Sequence, residues 1–418
     1  MRRLTRCVWI VVAIAAAVPS GAFAQKSLTW QQVKDRFEAT NPTLLAGRTG
    51  IDEARTQEIT AYLRPNPDMT TSLDQIAPFN ANPYRPFGST LPALSASYLH
   101  ERGGKRELRL ESARKATAVA ESQLADQERT LLFSLRNAFV QTLQQKSVLA
   151  LATENLSYYD RLLGVSSDRF KAGDIAQVDL DRLELQRVQF ETDLQSALVN
   201  LRTAKIQLLT LLNDRTPIEQ FDVTGPFEFT EQILTPDELH QTALANRPDL
   251  KAAIQAVDKA RTDHRLAVAN GTADPTFGVD LGRNPPIPAY LGFNVTIPLR
   301  IFDRNQGEKV RTQLDIRRNQ QLQEVNEAQI FSDADSAFAT LNSSRVLLRA
   351  YKTKYLDQAT RVRDTVSFAY QHGGASLLDF LNAQNDYRTV QLNYLNLVGS
   401  YMTAASQLNM AVGTEVIK

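Results

Sequence analysis

Two apolar stripes of heptad spacing, offset by 200 positions, restrict what this chain can become more than any other feature. The first runs through Leu180, Leu183, Arg187, Phe190, Leu194, Ala197, Leu201, Ala204, Leu208 and Leu211. The second runs through Phe380, Ala383, Tyr387, Val390, Tyr394, Leu397, Tyr401, Ala404, Leu408 and Ala411. Alternating steps of three and four residues keep one side of a helix apolar over many turns, the pattern of a coiled-coil seam. Only Arg187 interrupts it. A further stripe precedes each of these: Leu131, Leu135, Ala138, Leu149, Ala152, Leu156 and Leu163 in the first half, and Phe331, Phe338, Leu341, Leu348, Tyr355, Val362 and Val366 in the second. The later copy is less regular, with Arg345 and Lys352 at stripe positions.

Between the paired stripes lies a polar bend. Phe170-Lys171-Ala172-Gly173-Asp174-Ile175 and Tyr370-Gln371-His372-Gly373-Gly374-Ala375 both set an aromatic residue three positions before a glycine. Six positions after each glycine stands an aspartate, Asp179 or Asp379. Asn41-Pro42 with Leu44 likewise corresponds to Arg247-Pro248 with Leu250, and Ala138-Phe139 to Ala337-Phe338. Self-similarity at a fixed offset marks a duplicated unit. Each half reads as a helical hairpin: a helix from about Lys105 to Lys171, on the order of 100 Å long, and a returning partner of about 55–60 Å. Glycine suits the bend because it takes the left-handed C-terminal conformation without steric cost. Asp174 or Ser376 is placed to cap the returning helix. On periodicity alone, a soluble coiled-coil scaffold satisfies the same pattern.

Strand patterns narrow the choice. Candidate strands lie at roughly Pro67–Ile76 and Ala93–His100 in the first half, and at Pro275–Arg283 and Tyr290–Ile297 in the second. Leu291, Phe293, Val295 and Ile297 alternate with Gly292, Asn294 and Thr296. Phe277, Val279 and Leu281 alternate with Gly278, Asp280 and Gly282, and Leu94, Ala96 and Tyr98 with Ser95 and Ser97. The first strand, with Met69 and Leu73 among threonines and serine, carries the weakest signal. Apolar outward and small or polar inward is what a barrel wall between lipid and water requires, and 8–10 residues fit a tilted membrane strand. The segments Ala77–Thr90 and Asn284–Pro288, rich in Pro, Asn and Gly, read as exposed loops. Four strands cannot close a membrane barrel, so copies must share one: two chains would give eight strands and three would give twelve.

The N-terminus supports export. Arg2, Arg3 and Arg6 precede an apolar run from Val8 to Val18, and Ala22-Phe23-Ala24 supplies a cleavage site, so a signal peptide ending at Ala24 is expected. The single cysteine, Cys7, falls inside it, which excludes disulfides and thiolate metal sites from the mature chain. No later stretch approaches a transmembrane helix. With 47 basic and 46 acidic residues spread evenly, nothing points to nucleic acid. Gly103-Gly104-Lys105 lacks the spaced upstream glycine of a phosphate loop, and neither a zinc-protease helix nor a nucleophile elbow occurs. No catalytic residue and no cofactor is expected. His100, His240, His264 and His372 lack ligand spacing, and Met69, Met402 and Met410 are too scattered for a copper relay, so no metal site is expected either.

With this layout in hand, five local features carry a resemblance. They are Asn41-Pro42; Arg64-Pro65-Asn66-Pro67 before the first strand; Gly103-Gly104-Lys105-Arg106 opening a long helix; Arg247-Pro248-Asp249-Leu250; and Pro298-Leu299-Arg300-Ile301-Phe302-Asp303-Arg304-Asn305-Gln306-Gly307. In their order, and with the duplication, they resemble the TolC family of outer-membrane efflux proteins over nearly the whole mature chain. The last is similar to a strand-to-helix turn of its CzcC-like heavy-metal branch. The resemblance implies a mainly α fold with membrane β: duplicated long helical hairpins forming a trimeric α-barrel in the periplasm, and four strands per chain forming a shared 12-stranded β-barrel in outer-membrane lipid. It implies a homotrimer serving as the passive exit duct of a tripartite efflux pump, with a periplasmic adaptor (membrane fusion) protein and an inner-membrane efflux transporter as partners. Boundaries then fall at 1–24 for the signal peptide, 25–213 for the first repeat, 214–246 for an equatorial linker and 247–418 for the second repeat.

By the same resemblance, Gly173, Asp174, Gly373 and Gly374 form adaptor-contacting tips, and Asp179, Tyr370, Asp379 and Asn382 belong to a periplasmic gate. Tyr370 matches a latching tyrosine, and three copies of Asp379 would ring the aperture with negative charge. Ala375 stands where the family pattern has arginine, and Asn382 where it has a second aspartate; latch and ring are both expected to be thinner. A carboxylate at position 379 also suits a helix N-terminus for local reasons. An exported scaffold or an adaptor is the competing reading, though an adaptor would carry one hairpin flanked by split β-domains.

Overall fold

One series of elements occurs twice along the chain. The computed structural model describes residues 26–76, 78–79, 83–229, 231 and 235–417; the expected signal peptide, residues 1–24, lies outside them. The first series is β1 (Lys26–Leu28), α1 (Trp30–Thr40), α2 (Pro42–Tyr62), β2 (Asp68–Asp74), β3 (Leu91–Leu99), α3 (Lys105–Lys171) and α4 (Gln177–Leu211). The second is β4 (Phe221–Val223), α5 (Pro236–Asn246), α6 (Pro248–Asn270), β5 (Thr276–Asn284) and β6 (Ile287–Thr296), followed by a long arm and its return. That arm is α7 (Gln306–Ala350), a π-turn (Tyr351–Tyr355) and α8 (Leu356–Gln371); the returning helix is α9 (Leu377–Val412). Residues 214–246 hold a short 3-10 turn, β4 and α5.

The four longer strands form one antiparallel sheet in the order β2-β3-β5-β6. Register sorts their side chains by chemistry. Met69, Ala96, Val279 and Phe293 make one cross-strand row, and Thr71, Leu94, Leu281 and Leu291 the next, on one face. Asp68, Ser97, Gly278 and Asn294, then Thr70, Ser95, Asp280 and Gly292, make the rows of the other. The apolar face lies bare in the single chain, with Phe293 78% and Leu291 61% exposed. β2 and β6 each pair on one side only.

Below the sheet, α2, α3, α6 and α7 lie side by side; nearer the glycine bends the order becomes α4, α3, α9 and then α7 with α8. The 67-residue α3 runs through both tiers, a span of about 100 Å. The shorter helices reach the same length by stacking end to end. Asn41 makes one joint: its Oδ1 accepts from the backbone N–H groups of Thr43 and Leu44 at 3.0 and 3.1 Å, capping α2, while its Nδ2 donates to the Leu211 carbonyl at the end of α4 at 3.0 Å. Arg247 makes the other, donating to the Ala411 carbonyl of α9 at 3.2 Å and pairing with Asp249 at 2.6 Å and Asp333 at 2.8 Å. Asn41 thereby satisfies orphan groups at both helix ends, and Arg247 a carbonyl at the end of α9.

Heptad positions bury as the spacing predicts on α4 and α9, with Leu183, Phe190, Leu208, Phe380, Tyr401 and Leu408 all inside. The second long arm departs from its expected stripe. Leu341 and Leu348 are buried as expected and Phe338 and Val366 partly so, but Phe331, Tyr355 and Val362 are exposed, and Ile330, Ala334 and Ala337 complete the inward face. A π-turn admits one extra residue, so the one at Tyr351–Tyr355 turns α8 out of phase with α7. Asp174 also departs from expectation. The N-cap of α4 is Ala176, without a side-chain bond, whereas Ser376 caps α9 as expected.

β1 and β4 pair in parallel and join the two halves at mid-height. Asp222 of β4 anchors this joint, bonding Lys146 at 2.5 Å, Lys205 at 3.3 Å and the Ser27 hydroxyl at 3.2 Å. Burial alone would raise its pKa, but the two lysines outweigh burial and hold it below the usual carboxylate range. A depressed folded pKa means stabilisation that is present above the unfolded value and lost as pH falls through the folded one. Asp222→Asn should cost about 3 kcal/mol near pH 7 because it strands the buried Lys205. The gap between wild type and variant in thermal melting should narrow below roughly pH 4; a gap that persists unchanged there would rule out the ion pair as its source.

Candidate functional site

The bends at the far end of the arms bring the expected gate and tip residues into one region. Both bends close in the same way. The Gly173 N–H donates to Phe170 O at 2.9 Å and the Asp174 N–H to Arg169 O at 2.9 Å; Gly373 donates to Tyr370 O at 3.2 Å and Gly374 to Ala369 O at 2.7 Å. These are paired bonds of a Schellman ending, which places the residue after the cap in the left-handed region. Gly173 and Gly373 adopt it, with φ of 83° and 76°, and nothing stands within 4 Å of a side chain added at either. Conformation, rather than space, calls for glycine there.

The two halves differ just beyond the bends. Asp379 forms a reciprocal cap with Ser376: its Oδ2 accepts from the Ser376 hydroxyl at 2.6 Å and backbone N–H at 3.3 Å, while its own N–H donates to the Ser376 hydroxyl at 3.2 Å. Asp179, the counterpart in the first half, faces Ala176 and has Arg182 at 3.9 Å instead. Asp379 and Asn382 are exposed and Asp179 is partly so.

Tyr370 sits elsewhere: it is buried, stacked on Phe380 with ring centroids 5.0 Å apart. Its hydroxyl lies near Ser166 of α3 without a hydrogen bond of normal geometry. Burial raises its pKa first of all, with Asp179 adding to the rise and Ser166 and Arg169 opposing it. Tyr370 and Phe380 share a core with Tyr159, Leu162, Leu183 and Phe190 of the other hairpin. Tyr370 therefore holds the two hairpins of one chain together through apolar contact.

Arginines reinforce that junction, and sequence reading passed over them. Arg169 at the end of α3 donates to the Tyr370 carbonyl at 3.0 Å and lies 5.6 Å from its ring centre. Arg388 on α9 pairs with Asp193 on α4 at 2.5 Å. Arg363 of α8 lies 5.2 Å from the Tyr158 ring of α3, besides sitting 3.9 Å over Tyr387 of its own hairpin. A lone arginine on a heptad helix reads as a solvated residue; the partner that changes its meaning, Asp193, stands 195 positions away.

The histidines remain dispersed. His240 meets Asp335 at 2.7 Å, His264 meets Thr312 at 2.9 Å, His372 meets the Phe368 carbonyl at 2.8 Å and His100 approaches Phe277. No group of metal-ligating side chains gathers among the described residues, and no helix among them is long and apolar enough to cross a membrane.

Comparison with known proteins agrees with this architecture. The family described as Outer membrane efflux protein matches residues 239–414. The cobalt-zinc-cadmium resistance protein CzcC of Cupriavidus metallidurans is 25% identical over 397 residues, covering 92% of this chain and 90% of CzcC. The outer-membrane channel OprN superposes with a TM-score of 0.77 at 16% identity, covering 92% of this chain and 89% of that one. The CmeC outer membrane channel of Campylobacter jejuni does so at 0.76 and 14%, covering 93% and 87%.

Since the Tyr370 hydroxyl makes no good bond, Tyr370→Phe should shift stability by less than about 1 kcal/mol. Tyr370→Ala, which empties the shared core, should cost about 3–5 kcal/mol. Denaturant unfolding followed by circular dichroism separates them; a Phe variant as unstable as the Ala variant would show that the hydroxyl, and not the ring, carries the contact.

Proposed function

We propose that this chain is an outer membrane efflux protein, and that its open edges and its bends make an exit duct. It is an outer-membrane channel of a tripartite efflux pump, its sheet set in the outer membrane and its helices forming a barrel through the periplasm. One observation carries the proposal: the sheet has an apolar face and two unpaired edges, β2 and β6. Lipid cannot satisfy the backbone groups of an edge strand, so β6 of one copy joins β2 of the next. The joint is head to tail, and repetition closes a ring. Three copies give twelve strands, the number the family resemblance implies.

The helical tier follows the same rule. α4 carries a second, exposed stripe of Val178, Leu185, Val188, Val199 and Ile206, spaced as a second coiled-coil seam. At the opposite edge Tyr355, Val362 and Phe368 of the second arm are bare. We assign these to the seam between copies. We take residues 25–213 and 247–418 as the structural repeats and 214–246 as the equatorial segment between them.

At the closed end, three copies of Asp379, with Asp179 and Asn382 nearby, surround the aperture; Tyr370 fixes the hairpins that carry them. Gly173, Asp174, Gly373 and Gly374 form the tips that meet a periplasmic adaptor, which connects the duct to an inner-membrane transporter. Family members are channel proteins, and conduction needs no bond-making chemistry from this chain. CzcC carries cobalt, zinc and cadmium in its name, which supports heavy-metal cations as cargo passing along the duct without being bound.

The only cysteine is Cys7, so introduced thiols report cleanly. Thr71→Cys on β2 combined with Leu291→Cys, Phe293→Cys or Val295→Cys on β6 should give, for at least one pair, an oxidised ladder that ends at the trimer. The single variants should give none, and failure of every pair to cross-link would sink the ring. For the aperture, Asp379→Asn should relieve divalent-cation block in planar bilayers while keeping the helix cap, because asparagine also caps. Ser376→Ala should leave block intact; block unaffected by Asp379→Asn would remove the charge ring.

A further inference from the structure

One mainly apolar cavity has no part in conduction as set out above. It is an open-sided pocket of about 400 Å³ at the height of the β1–β4 joint. Its walls come from α1, the middle of α3, the C-terminal end of α9 and the tail that follows α9. α3 and α9 are the two central helices of the lower tier, while the edges assigned to neighbouring copies are α2 with α4 and α7 with α8. The pocket therefore sits on neither joining edge.

Its lining is largely aromatic and apolar, with Trp30, Phe133, Tyr401, Met402 and Met410 prominent. One cation in it stands apart. Arg136 lies 4.5 Å over the Trp30 ring and 5.9 Å from Phe139. Burial pulls its pKa below the usual arginine value, and Glu415, an exposed tail residue, opposes this only through space. The other lining cations are already matched: Arg129 pairs with Asp126 at 2.6 Å, and Lys34 with Glu38 at 3.8 Å. Glu228 and Glu415 complete the charged lining, and neither forms an ion pair with Arg136 among the described residues.

A guanidinium stays charged at any physiological pH and presents a planar fork of donors that matches a carboxylate. Partial withdrawal from water without an ion-pair partner leaves that demand unmet. A concave, mainly apolar space of this size, with one cation that lacks an ion-pair partner among the described residues, has the form of a small-molecule site. We propose that the pocket binds a small organic anion, with its acidic group on Arg136 and an aromatic or aliphatic body against Trp30, Phe133 and Tyr401. The site belongs to a single chain, so it stands or falls separately from ring closure and from the gate.

Of the two tryptophans, Trp9 lies in the segment expected to be removed on export, which leaves Trp30 as the only one in the exported chain. Its fluorescence therefore reports this pocket alone. Titration of the detergent-solubilised protein with 3-phenylpropionate should change Trp30 emission saturably. The neutral 3-phenylpropanamide should need a concentration about tenfold higher or more. Arg136→Met, which keeps an apolar stem over Trp30, should weaken binding of the acid by a similar factor and leave the amide unchanged. Arg202→Gln, on the exposed side of α4, should alter neither. Equal half-saturation by acid and amide, a response that never saturates, or an Arg136→Met protein that still prefers the acid would each overturn the site. Should Arg136→Met fail to assemble, the comparison of acid with amide in the unaltered protein decides the matter.

Discussion

Hydrogen bonding at an open sheet edge is the constraint from which the rest of this molecule follows. A strand edge in water can be solvated, covered or charged; in hydrocarbon it must be paired. This chain makes a four-stranded sheet with one predominantly apolar face and leaves one edge each of β2 and β6 unpaired. No rearrangement within one copy can close so small a sheet into a lumen. Assembly is thus a condition of the membrane part being stable at all. The helices inherit it, since each strand pair opens into an arm of fixed position: α3 begins within a few residues of β3, and α7 within ten of β6.

The periplasmic tier solves a different problem, that of length. Only the two arms cross it unbroken. Their partners do so as stacked pairs, α4 under α2 and α9 under α6, and the weak point is each joint, where one helix ends on exposed carbonyls and the next begins on exposed N–H groups. Asn41 answers both needs with one amide. Arg247 donates to one carbonyl of α9, that of Ala411, while its charge is met by Asp249 and Asp333. The two residues occupy equivalent places before a proline, yet they use different chemistry: the duplicated halves conserve the joint and not the side chain that makes it.

Much of this was legible in the residues. Heptad spacing located α4 and α9, the polar bend with its glycine located both turns, and alternation found all four membrane strands, including β2, whose threonines and aspartates gave it little apolar signal. Pairing with β3 over seven residues places β2 in the sheet regardless. What escaped was information that exists only between distant segments. The stripe along the second arm was read as one continuous seam, because a π-turn leaves no mark on spacing except a change of phase; Tyr355 and Val362 then seem to belong inside when they lie bare. Arg169 and Arg388 gain their roles from Tyr370 and Asp193, contacts that local pattern does not contain. Asp379 is visible in the sequence as a helix-end carboxylate, whereas its reciprocal bond with Ser376 depends on the geometry of the bend.

The two hairpins are also unequally self-sufficient. In the lower half of α3, Leu151, Ala152, Tyr159, Leu162 and Ser166 are all buried within the chain. Along the matching stretch of the second arm, residues 349–366, none is. That stretch contains the π-turn and is placed by buried contacts at its ends, Leu348 above and Ser367 with Tyr370 below, and by Arg363 against the Tyr158 and Tyr387 rings. A segment with little internal burial opens at lower free energy than the packed elements around it. The second hairpin is therefore held by few residues of its own chain, and the Tyr370–Phe380 stack, Arg169 and the Arg388–Asp193 pair are what fasten it to the first. Weakening those fastenings should therefore loosen the second hairpin sooner than the first, whose core is continuous.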